Sequence, residues 1–134
     1  MSFKITSTMT ALKIGSKWKG FYDAPLPYGR REFSCEITEI TENQSFVGQG
    51  EDAEGIFSIK GSLGNTKIIL EDGQERQTCD ISFVKDYLAD DGYKGVEYKG
   101  TLSDHKITGQ YSFLWKKAFI SKTVTGIFEM EVVV

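Results

Sequence analysis

The chain has 134 residues, 40% hydrophobic and 26% charged, with a formal net charge of −3. That length holds one domain with a real core. The slight acidity excludes nucleic acid as an expected partner, because a phosphate-binding surface needs a basic cluster and the longest basic runs are Arg30-Arg31 and Lys116-Lys117.

No apolar run approaches the ~20 residues that span a bilayer. The N-terminal stretch MSFKITSTMTALKIG lacks the continuous apolar segment of a secretory signal. The expectation is therefore a cytoplasmic protein with no membrane partner, in which Cys35 and Cys79 stay reduced and buried.

Residues 1–14 alternate at Phe3, Ile5 and Ser7 and read as an arm or edge strand. Ser16–Ala24 is the first clear strand, with Trp18, Gly20 and Tyr22 on one side. Pro25 to Gly29 forces a loop. Arg31–Thr41 follows as a long strand carrying Phe33, Cys35 and Ile37 on one face, and Ile40 breaks its parity, which predicts a bulge near Glu39. Turns are expected at Glu42–Gln44, Glu51–Gly55 and Gly64-Asn65, and Asp72-Gly73 is the strongest hairpin dipeptide. The next strand carries Cys79, Ile81, Phe83, Lys85 and Tyr87 on one face. After a turn at Asp90–Gly92 the chain continues through YKGVEYKGTL, a turn at Ser103–His105, KITGQYSFLW, an irregular link over Lys116–Lys122, and TVTGIFEMEVVV.

Eight or nine strands separated by short turns, with no helical period, predict an all-β chain forming one domain over residues 1–134. A meander leaves two bare edges unless it closes on itself, and strand-interior glycines such as Gly20, Gly50, Gly100, Gly109 and Gly126 allow the coiling that closure requires. The expected architecture is a closed antiparallel up-and-down barrel of about eight strands, with a β-sandwich as the alternative. A barrel of that size has an interior that side chains just fill or that holds one small ligand.

The early glycine and tryptophan in Gly15-Ser16-Lys17-Trp18, the length and the strand count together resemble the lipocalin and avidin type of barrel. Two residues separate Gly15 from Trp18 where lipocalins have one, and the last arginine is Arg76, so a late arginine packing on the tryptophan is missing. The resemblance is architectural. It implies a small-molecule cavity and assigns no site residue.

His105, the single histidine, falls in a hairpin turn without an orienting partner. One histidine and two distant cysteines fit no zinc spacing, and Glu51–Gly55 lacks the register of a calcium loop, so no metal or cofactor is expected. Lys85 is the polar residue that stands out. Strict alternation puts it between Phe83 and Tyr87 on the apolar face, where it either snorkels to water at the barrel mouth or acts inside. Glu39 and Glu129 are the acids considered as its partners. Lys85 is the candidate catalytic residue. Trp18, Tyr22, Lys85, Tyr87, Tyr98, Tyr111, Trp115 and Phe128 are the candidate ligand-binding residues, since phenols and indoles in a cavity offer apolar area with a few donors.

Three functions fit this pattern. The leading expectation is a non-enzymatic module that binds a small apolar or amphipathic molecule or presents a surface to a partner. A small barrel enzyme of the cyclase, isomerase or lyase kind is the second, with Lys85 and a tyrosine moving protons. The third is a structural protein with a filled core, self-associating into a homo-oligomer through its sheet exterior.

Overall fold

The period-two patterning is realised as antiparallel sheet throughout. A computed structural model describes residues 12–25, 29–90 and 94–134. Among them are eight strands: β1 (Lys17–Ala24), β2 (Gly29–Ile40), β3 (Ser45–Asp52), β4 (Gly55–Glu71), β5 (Gln74–Tyr87), β6 (Val96–Ser103), β7 (Lys106–Lys117) and β8 (Ile120–Val132). Each pairs with its successor, and β8 returns to β1 through Trp18↔Val132 to Tyr22↔Phe128. That last ladder closes the ring and rules out the sandwich.

Two turn expectations are corrected. Gly64-Asn65 does not reverse the chain. β4 runs straight through it, and the β4–β5 register slips between Leu63 and Thr66, so the pair marks a bulge. The Lys116–Lys122 link is no irregular connection either: β7 reaches Lys117 and β8 starts at Ile120. Ala118 makes this tight reversal with φ of 53°, a conformation for which a non-glycine residue gives no sequence signal. The expected bulge near Glu39 is present, as a shift between Ile37 and Glu39. The residues 1–14 arm lies outside the described residues up to position 11.

The two ends of the ring differ. At the end holding the start of β1, Trp18, Ile37, Phe46, Cys79, Leu102, Ile107 and Met130 form a solid plug. A short turn seals it from below, with Leu12 buried beside it. The Ser16 hydroxyl donates to the Lys13 carbonyl at 2.6 Å and accepts the Trp18 indole N–H at 3.1 Å. Burying these large side chains contributes on the order of 10 kcal/mol, enough to carry costly polar groups elsewhere in the barrel.

At the opposite end β8 pairs with β1 only as far as Tyr22↔Phe128. Tyr111 bridges the splayed seam: its ring lies over Gly126, and its hydroxyl donates to the Asp23 carbonyl on β1. A Cβ at Gly126 would sit 2.5–2.6 Å from Tyr111 atoms, so the glycine is what admits the ring.

Candidate functional site

Above the plug the barrel opens into a cavity of about 720 Å³. Tyr22, Lys85, Tyr87 and Tyr98 form its floor, with Val96, Tyr111, Phe113, Trp115 and Val124 as walls. Arg31, Glu54 and Lys122 stand among its outer lining. Below the floor, between Phe33, Cys35, Phe57, Phe83 and Met130, the space open to a water-sized molecule is only about 10 Å³. The interior is thus divided into a filled half and an open half, and Lys85 marks the boundary.

Alternation along β5 delivers Lys85 to the interior between Phe83 and Tyr87, all three buried. Its ammonium does not snorkel. It donates to Asp52 Oδ2 at 2.7 Å, with the two side chains 3% and 0% exposed. Five rings surround the same nitrogen: the centroid of Phe57 lies 4.2 Å away, those of Tyr22 and Tyr87 4.9 Å, Phe33 5.4 Å and Tyr98 5.7 Å. Each aromatic face offers its negative quadrupole to the cation. Neither Glu39 nor Glu129 takes part; Glu129 instead pairs with Lys106 at 2.8 Å.

Asp52 is the functional residue that the sequence reading missed. It was assigned to the turn after β3, and it does build that turn, accepting the Glu54 backbone N–H at 2.8 Å. Its other oxygen simultaneously accepts from Lys85 and, at 2.5 Å, from the Tyr87 hydroxyl. The available signal was parity. Phe46, Gly48, Gly50 and Asp52 are alternate residues of β3, so an inward Phe46 implies an inward Asp52.

The floor is therefore a connected polar chain. Lys85 also donates to the Tyr98 hydroxyl at 3.4 Å, and the Tyr22 hydroxyl interacts with that of Tyr87. Burial pulls the Lys85 ammonium below the usual lysine range, while Asp52 opposes the shift. Burial raises all the phenols: Tyr22 is pushed up to about 12, with Asp52's charge adding to it, and Tyr87 and Tyr98 move upward for the same leading reason. All three hold their protons near neutral pH, and Tyr87 donates its own to Asp52. The Cys35 thiol is pushed up to about 12 by burial despite the nearby Lys85 charge.

Six of the eight candidate ligand residues come together on the cavity: Tyr22, Lys85, Tyr87, Tyr98, Tyr111 and Trp115. Trp18 lies in the plug at the far end. Phe128 packs beneath the floor, edge-on to Tyr98 at 4.9 Å and to Phe83 at 5.9 Å. Phe113 and Val124 complete the walls. His105 is exposed in the β6–β7 turn at the plugged end. The ring of eight antiparallel strands is the extent of the likeness to lipocalin and avidin barrels. The chain matches no family model, and no curated protein or solved structure matches it significantly.

Proposed function

We propose that this barrel is a binding module for one small, largely apolar, ring-containing molecule, held in the open half with a hydrogen-bond acceptor directed at the floor. The carrying observation is a cavity of about 720 Å³ with aromatic walls and a few convergent donors, a size and composition typical of ligand sites. Charge balance narrows the ligand. Asp52 neutralises Lys85, and Arg31 faces Glu54 at 3.6 Å, so the interior does not call for a strongly charged group. Tyr98 accepts from Lys85, which leaves the phenol's own proton for an acceptor above it.

The same geometry weighs against Lys85 as a nucleophile or base. An ammonium paired at 2.7 Å and enclosed by five rings has no free electron pair to offer. A binding function in the manner of lipocalins or avidins fits the site better than turnover.

Native mass spectrometry of the chain purified from its own host should show one co-retained small molecule. The uncharged dye N-phenyl-1-naphthylamine should bind with a stoichiometry of one and accept energy from Trp115. Val124→Trp, which fills the mouth, should weaken the dye at least about tenfold, roughly 1.4 kcal/mol. Absence of both a co-retained molecule and saturable dye binding would overturn the proposal, as would unchanged affinity in Val124→Trp.

A further inference from the structure

The β4–β5 hairpin extends beyond the barrel. β3 pairs with β4 only as far as Ser62, and β6 pairs with β5 only from Lys85 to Thr78. Residues 68–71 and their β5 partners, residues 74–77, therefore leave the plugged end as a two-stranded ribbon. Its apolar residues face water: Ile68 is 63% exposed, Ile69 41% and Leu70 77%. The two edges of the ribbon are not equivalent. Arg76 on β5 reaches Asp104 of the β6–β7 turn at 3.8 Å, whereas the outer edge of β4 over Lys67–Glu71 pairs with no strand among the described residues. An apolar, unpaired edge is a template for another strand.

We propose that a second copy of this chain occupies that edge, through antiparallel pairing of β4 with β4 about a two-fold axis at Ile69. The segment Lys67-Ile68-Ile69-Leu70-Glu71 is self-complementary in this register. Ile69 meets Ile69 of the second copy, Ile68 meets Leu70, and Lys67 meets Glu71. Because alternate residues share a face, Ile68 and Leu70 from both copies form one apolar cluster of four side chains. On the opposite face two Lys–Glu pairs flank the Ile69 pair. Parallel in-register pairing would instead set Lys67 beside Lys67 and Glu71 beside Glu71, which is unfavourable.

The present contacts of these charges, Lys67 with Asp80 at 3.3 Å and Glu71 with Arg76 at 3.8 Å, join exposed side chains and exchange readily. Because the contact is two-fold, each copy spends the same β4 edge on it, and this pairing closes at the dimer.

Ile69→Cys in the full chain tests the register. Directly opposed residues in an antiparallel pair stand ~4.5–5.5 Å apart at Cα, within disulfide reach, while Cys35 and Cys79 are buried. Mild oxidation should convert Ile69→Cys to a covalent dimer and leave Ile68→Cys uncrosslinked. A mixture of Ile68→Cys with Leu70→Cys should give the mixed dimer. In sedimentation equilibrium Lys67→Glu and Glu71→Lys should each weaken self-association about tenfold, and the double exchange should restore it. A wild-type chain that stays monomeric at millimolar concentration overturns the proposal. So does Ile68→Cys crosslinking as readily as Ile69→Cys, or a double exchange that restores nothing. Circular dichroism separates these outcomes from loss of fold.

Discussion

Replacing Asp52 by Asn keeps the side-chain volume and, with the amide oxygen toward the floor, an acceptor for Tyr87. It removes the charge that Lys85 faces at 2.7 Å and sets the amide NH2 against the Glu54 N–H that the carboxylate accepted. The ammonium then stands among five rings with no counter-ion. Removing one partner of a buried ion pair costs about 3–5 kcal/mol, most of it the desolvation of the stranded charge. The folded chain limits this loss by releasing the proton. Burial already depresses the Lys85 value and Asp52 opposes that depression, so the substitution depresses it further. Between the folded value and the ordinary lysine value of 10.5 the unfolded state binds more protons than the folded state. Stability of Asp52→Asn must therefore rise with pH across that window, by up to about 1.4 kcal/mol per pH unit. In the double variant Lys85→Met/Asp52→Asn the charge is gone and methionine fills the ring-lined site, so stability should return to within about 1 kcal/mol of wild type, without that slope. Urea unfolding of the three proteins at neutral and alkaline pH measures each of these differences. A loss below about 1 kcal/mol in Asp52→Asn at neutral pH, or a loss independent of pH, would refute a buried, mutually neutralised pair.

Two further outcomes follow from the geometry. Tyr111→Phe removes the hydroxyl that satisfies the Asp23 carbonyl across the β8–β1 seam; it should cost about 1–2 kcal/mol and speed amide exchange at the open end of β1, with the plugged end unchanged. Cys35, pushed up to about 12, and Cys79, also raised by burial, should both resist a thiol reagent in the folded chain at mildly alkaline pH and react once urea unfolds it. Rapid labelling of either thiol in the native protein would contradict the packing around them.

Alternation alone determined much of this protein. A period of two assigned the inward faces of β5 to β8 residue by residue, and so placed Lys85, Tyr87, Tyr98, Tyr111 and Trp115 on one interior, because side chains on a pleated strand have only two directions. The Asp72-Gly73 turn and the bulge at Glu39 were legible for a similar reason: positive φ favours a few residue types, and an extra residue shows as a break in parity. Tertiary structure decided the rest. Asp52 belongs to a turn in sequence and to the barrel floor in space, and only the fold brings it to Lys85 across 33 positions. Trp18 and Tyr22 share a strand face, yet one sits in the plug and the other on the cavity, because position along a barrel axis depends on strand stagger and on the bulk contributed by neighbouring strands. Sequence could write an aromatic interior. Whether that interior was full or hollow was set by how eight strands share its volume, and the answer was one half of each.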